Sequence, residues 1–177
     1  NLAARVKEEH SETAYMTMRA REFISEMGDA PWLCHLSYIK PHWPYVAPAP
    51  YHNMYRSGAL LPPVRDPRER ENPNPVYAAF MQMRVSETFS QQGVRETVLP
   101  AYMGLIKQID DHLGRLFDWL EKTGKMDDTM IVFTSDHGDY LSDHWLGEKE
   151  LFHDVSVRVP LIIVDPRREA SAGRVCR

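Results

Sequence analysis

Thr129-Met130-Ile131-Val132-Phe133-Thr134-Ser135-Asp136-His137-Gly138-Asp139 is the stretch on which the reading of this sequence turns. Residues 129–134 are apolar and rich in branched side chains, the pattern of a short strand buried on both faces of a parallel sheet. The residues that follow change at once to polar groups and a glycine. Sheets of this kind carry their sites at the carboxyl ends of their strands, which makes Asp136 and His137 the first candidate site residues. A carboxylate beside an imidazole is a fragment of a divalent-metal site, and Gly138 lets the backbone turn so that both groups face one point. The same residues also suit a helix N-cap, with Asp136 accepting backbone N–H bonds, and the stretch alone leaves both readings open.

Working outward, residues 97–123 carry Val98, Tyr102, Leu105, Ile106, Ile109, Leu113, Leu116, Phe117 and Leu120 on one stripe, ended by Gly124, which predicts a long amphipathic helix. Residues 11–27 repeat Met16, Ala20, Phe23 and Met27 at intervals of three and four before Gly28, a second helix with a favoured cap residue. Residues 32–39 and 159–164 read as further buried strands. The resulting order predicts an α/β domain with a mostly parallel sheet. Nine of the thirteen prolines fall between Pro41 and Pro75, which breaks both helix and central strand. Residues 40–95 are therefore expected to form a long Pro-rich excursion, ordered by Trp43, Tyr45, Tyr51 and Tyr55 and walling a pocket.

A chain of 177 residues suffices for one domain, and its 43% hydrophobic and 26% charged residues are ordinary for a globular protein. The net charge of −4 argues against nucleic acid and anionic membrane surfaces as partners. The longest apolar runs fall far short of the roughly 20 residues needed to span a bilayer. Cys34 and Cys176 form neither a CxxC nor a metal-ligand spacing, so no disulfide framework is expected and the compartment leans cytoplasmic. A chain that starts at Asn1 without methionine and ends at Val175-Cys176-Arg177 soon after a strand-like segment is expected to be a piece of a longer protein.

Two further segments carry chemistry. Lys149 lies in Trp145-Leu146-Gly147-Glu148-Lys149-Glu150-Leu151-Phe152-His153-Asp154, where an ammonium could hold a tetrahedral anion as a point charge, or could simply solvate a surface. His144 and His153 are ligand candidates left without a role. Lys40-Pro41-His42-Trp43-Pro44-Tyr45 follows the first predicted strand. Its prolines stiffen the backbone around His42, which suits a histidine that hydrogen-bonds a substrate oxygen or protonates a leaving group, as well as a plain Pro-rich turn.

Taken together, residues 36–48 with Lys40-Pro41-His42-Trp43-Pro44-Tyr45, residues 109–116, residues 129–138 and the Gly147-Glu148-Lys149 and Arg158-Val159-Pro160-Leu161 segments resemble the sulfatases of the alkaline phosphatase superfamily. The Asp-His pair, rather than Asp-Asn, resembles the phosphonate monoester hydrolase and bacterial arylsulfatase branch. The resemblance implies an alkaline phosphatase-like sandwich, of which this chain is the C-terminal part of the domain. It implies that Asp136 and His137 bind one divalent metal. Imidazole ligation fits manganese, zinc or iron better than calcium. It also implies that His42 and Lys149 contact the sulfate or phosphoryl group of a small anionic ester, with His42 near the leaving-group oxygen. The family's nucleophile is a formylglycine made within a Cys/Ser-x-Pro-x-Arg motif, and this sequence contains no such motif. Formylglycine and the remaining metal aspartates are expected upstream, so that this stretch by itself is expected to be inactive. The rival readings are a two-metal phosphodiesterase or phosphomutase of the same superfamily, and a non-catalytic anion-binding fragment. Apolar surface left uncovered would favour self-association into a homo-oligomer.

Overall fold

The computed structural model describes residues 1–167, and Cys176 lies outside them. Helix α1, Glu12–Met27, opens at Ser11, whose hydroxyl accepts from the Ala14 N–H, and closes at Gly28 with φ +56°, the conformation that glycine adopts without steric cost. Its buried residues are Thr13, Thr17, Ala20 and Ile24, while the predicted Met16, Phe23 and Met27 are half-buried on the flank. Thr17 belongs inside because its hydroxyl donates to the Thr13 carbonyl and meets the Tyr38 hydroxyl at 2.8 Å.

The Pro-rich excursion is more structured than the sequence suggests. It folds into helices α2 (Pro75–Met81) and α3 (Arg84–Ser90), preceded by short 3-10 turns. Asn74 caps α2 by accepting from Val76, and Pro75 takes the first helical position, where its missing N–H costs nothing. Helix α4, Val94–Lys122, begins before the predicted start at Thr97 and carries Pro100 inside. It buries Leu105, Gln108, His112, Leu116 and Leu120. Gln108 donates to the Ser11 hydroxyl and His112 pairs with Glu8, which ties α4 to the start of α1. On another side Leu105 joins Ala47 and Tyr51 in a buried cluster, and burial of such a leucine contributes about 2 kcal/mol. Gly104 makes that approach possible, since a Cβ there would stand 2.3 Å from the Tyr51 carbonyl oxygen.

The sheet departs from expectation. Strand β1 (Ile131–Thr134), the four-residue helix α5 (Asp154–Val157) and strand β2 (Leu161–Val164) follow in order, and β1 and β2 pair antiparallel with Ile131 opposite Val164 and Thr134 opposite Leu161. A parallel return would need a crossover carrying the chain back along the strand. Residues 135–160 instead loop at one end of β1, where the Thr134 hydroxyl donates to the Pro160 carbonyl. Residues 32–39, expected as a buried parallel strand, are extended with alternating exposure and pair with no strand among the described residues. Leu33 is 89% and Ile39 65% exposed. The mostly parallel sheet is thus not present among the described residues, and β1 and β2 themselves expose Val132, Leu161, Ile162 and Ile163. No helix among the described residues is long and apolar enough to cross a membrane.

Candidate functional site

The turn before His42 is built by its own lysine. The Lys40 ammonium donates to the carbonyls of His42 and Pro44, each at 3.1 Å, and the His42 N–H donates to the Ile39 carbonyl. Burial pulls the Lys40 pKa below its ordinary value. Within this turn the His42 Nδ1 lies 2.9 Å from the Trp43 carbonyl. A carbonyl can only accept, so Nδ1 carries the proton and Nε2 presents its lone pair. That lone pair meets Lys149 Nζ at 2.8 Å across 107 residues of sequence. The structure therefore brings together His42 and Lys149, with the ammonium donating and the neutral imidazole accepting.

Asp136 and His137 leave the end of β1 as a second pair. The His137 Nδ1 donates to the Gly138 carbonyl at 2.7 Å, which fixes the ring and frees Nε2, the arrangement a metal-ligating histidine uses. Asp136 Oδ2 stands 3.5 Å from that Nε2, a gap that one ion with bonds of about 2.0–2.2 Å to each atom spans. Asp136 is 84% exposed, and its Oδ1 accepts from the His137 N–H. The N-cap alternative fails, because no helix follows within this turn. The donor set fits a divalent ion but is incomplete: no group of three or more His, Cys, Asp or Glu that could hold a metal occurs among the described residues.

The two pairs make no direct hydrogen bond with each other. They are joined through neighbouring residues. Gly138 N–H donates to the Ser156 carbonyl at 2.7 Å, and the Ser156 hydroxyl donates to the Lys149 carbonyl. A Cβ at Gly138 would stand 1.9 Å from the Val155 carbonyl oxygen, so this position admits only hydrogen. The second link is the Tyr45 hydroxyl, which donates to Asp139 Oδ2 at 2.7 Å. Burial, followed by the nearby Glu148, raises the Asp139 pKa above the usual carboxylate range. Burial and the Asp139 charge push the Tyr45 phenol far above its ordinary value, so it remains a donor. Tyr45 and Asp139 each end a recognised segment, but no local pattern predicts a contact between residues so distant in sequence.

Between these segments residues 141–148 form a loop in which Leu141, Ser142, His144, Trp145 and Glu148 all adopt positive φ, a conformation that side chains with a Cβ resist. The excursion holds it there. Asp143 accepts from Val64 N, the Val64 carbonyl accepts from His144 N, Trp145 Nε1 donates to Asp66, and Ser142 donates to Phe89. Arg95 donates to the Leu141 carbonyl and pairs with Asp143. His144 bonds Glu69 and stacks on His153 at 4.2 Å, while the Tyr140 hydroxyl bonds His153 Nδ1. His144 and His153, left without a role by the sequence, are thus braces of the loop. Burial, then the adjacent His144, lowers the His153 pKa. The excursion clamps the loop that precedes Lys149.

A family model described as Sulfatase matches residues 5–175. This chain belongs to the sulfatase family. The sulfatase-family chain is 35% identical over 189 residues to the Multifunctional alkaline phosphatase superfamily protein PehA of Trinickia caryophylli, covering 97% of this chain and 36% of that protein. It is 34% identical over 138 residues to a Choline-sulfatase of Rhizobium meliloti, covering 77% of this chain and 27% of that one. Among solved structures it superposes on the phosphonate monoester hydrolase of Silicibacter pomeroyi with a TM-score of 0.82 at 33% identity, over 93% of this chain and 34% of that one. The enzyme of the same description from Agrobacterium radiobacter gives 0.83 at 30% identity. The sulfatase-family chain spans about a third of the length of these relatives.

Proposed function

We propose that this chain is the later part of a metal-dependent hydrolase of sulfate esters or phosphonate and phosphate esters, in which His42 and Lys149 contact the tetrahedral anion and Asp136 and His137 supply two metal ligands. The whole protein would be an alkaline phosphatase-like sandwich with a larger sheet, into which the exposed β1–β2 pair and the extended residues 32–39 fit. The observation that carries the reading is the hydrogen bond between Lys149 Nζ and His42 Nε2, an ammonium and a correctly tautomerised imidazole held together from segments of no sequence proximity. Similarity to a choline-sulfatase and to phosphonate monoester hydrolases supports both ester classes.

In this mechanism the Lys149 ammonium binds a non-bridging oxygen of the anion and stabilises the charge that grows there. The Trp43 carbonyl holds the His42 ring so that Nε2 faces outward. Lys149 keeps its charge on the anion, and His42 Nε2, after taking a proton from water, would pass it to the departing alcohol oxygen and return to neutral imidazole. A bound divalent ion supplies Lewis-acid polarisation of the ester oxygens and of the nucleophile. That ion is manganese, zinc or iron in preference to calcium, because one of its ligands here is imidazole. The nucleophile lies outside this chain and is the formylglycine that the family resemblance implies.

The test is His42→Ala in the full-length polypeptide, assayed on aryl sulfates and phosphonate monoesters with leaving groups of different basicity. Hydrolysis should fall by about 10²- to 10⁴-fold, most for the most basic leaving groups. Unchanged turnover would remove His42 from the mechanism.

A further inference from the structure

We propose that Tyr45 is a positioning residue that couples the anion-contacting pair His42–Lys149 to the metal-ligand pair Asp136–His137 through its hydrogen bond to Asp139, an inference that rests on the functional reading above. Tyr45 follows His42 by three positions and Asp139 follows His137 by two. Their 2.7 Å hydrogen bond therefore joins the turn that holds one pair to the turn that holds the other.

Both partners are fixed independently. The Tyr45 ring stands edge-on to Phe89 of α3 at 6.2 Å and to Tyr102 of α4 at 6.0 Å. Those contacts belong to the ring and survive removal of the hydroxyl. Asp139 commits its other oxygen to the Leu141 N–H at 3.2 Å, at the start of the left-handed loop that leads to Lys149. One carboxylate thus touches the segments of His42, of His137 and of Lys149. The phenol's bond to this carboxylate is what adds the His42 turn to the segments of His137 and Lys149, which are also joined through Gly138 and Ser156. Deleting the phenol removes this part-buried hydrogen bond, whereas an amide at position 139 still offers a carbonyl oxygen to the phenol.

The experiment measures binding of inorganic sulfate to the full-length polypeptide by calorimetry, with and without saturating Mn²⁺. In the unmodified protein Mn²⁺ raises sulfate affinity by a coupling factor. In Tyr45→Phe that factor should fall about three- to tenfold, while sulfate binding without metal and Mn²⁺ binding without sulfate change less than about twofold. Asp139→Ala should lose the same coupling, Asp139→Asn should retain it, and the Tyr45→Phe/Asp139→Ala double variant should be no worse than either single change. Full coupling in Tyr45→Phe overturns the inference. So does equal loss in Asp139→Asn and Asp139→Ala with Tyr45→Phe intact, which would assign the effect to the Asp139 charge. An unmodified protein in which neither sulfate nor Mn²⁺ binds overturns the functional reading as well, and is distinguished by that.

Discussion

Gly138→Ala isolates the junction between the metal pair and the lysine segment. Gly138 is not in the left-handed region, so alanine is conformationally acceptable there and would gain about 0.4–1 kcal/mol by restricting the unfolded chain. Against this, the new Cβ would begin 1.9 Å from the Val155 carbonyl oxygen and must move beyond about 3.0 Å. That atom is backbone and cannot rotate away. Separating the turn at Gly138 from α5 breaks the bond from Gly138 N to the Ser156 carbonyl, at about 1 kcal/mol, and forced overpacking adds about 1–3 kcal/mol. The net expectation is a loss of about 1–3 kcal/mol, together with weaker Mn²⁺ binding because His137 moves with Gly138. Urea unfolding followed by circular dichroism, paired with Mn²⁺ titration, reads both. An alanine variant within about 0.5 kcal/mol of the parent and with unchanged metal affinity would refute the steric reasoning.

Replacing either Asp136 or His137 by alanine should weaken Mn²⁺ binding by at least about a hundredfold; calorimetric titration checks this, and an unchanged affinity would remove that residue from the ligand set. His153 predicts an acid limb of stability. Its folded pKa is lowered, so between that value and its ordinary 6.5 the unfolded chain binds the proton and the folded one does not. The stabilisation is complete above about 6.5 and declines as pH falls below it. Thermal unfolding from pH 8 to 5 should show this decline, and His153→Asn should flatten it; an equal slope in the variant would exclude His153 as its source.

The helices were legible because their causes are local. Gly28 and Gly124 stop two helices where the sequence places them, and the stripe through Leu105, Leu116 and Leu120 is read directly from its spacing. The sheet was not, because residues 32–39 and 129–134 are equally apolar, and apolarity does not state which strand lies beside which or in what direction. Asp136 and His137 emerged from their place after a strand, and His42 and Lys149 from resemblance. Their meeting at 2.8 Å depends on the fold of residues between them. The contacts of Tyr45, Asp139 and Gly138 are not legible, since each acts through a partner remote in sequence. The helices at the end of the Pro-rich excursion are not legible because Asn74-Pro75 starts a helix with the same residue type that forbids one elsewhere.

The left-handed loop carries a kinetic consequence. Its long-range restraints come from Val64, Asp66, Phe89 and Arg95, at sequence separations of 46 to 79 residues, added to its own short-range backbone bonds. Closing such distant contacts is slow relative to forming α1 or α4. Lys149 therefore reaches His42 only after the excursion has docked, and the assembly of the anion pair is among the last events of folding. Substitutions at these clamp positions should delay the recovery of anion binding after refolding more than they delay the recovery of helix signal.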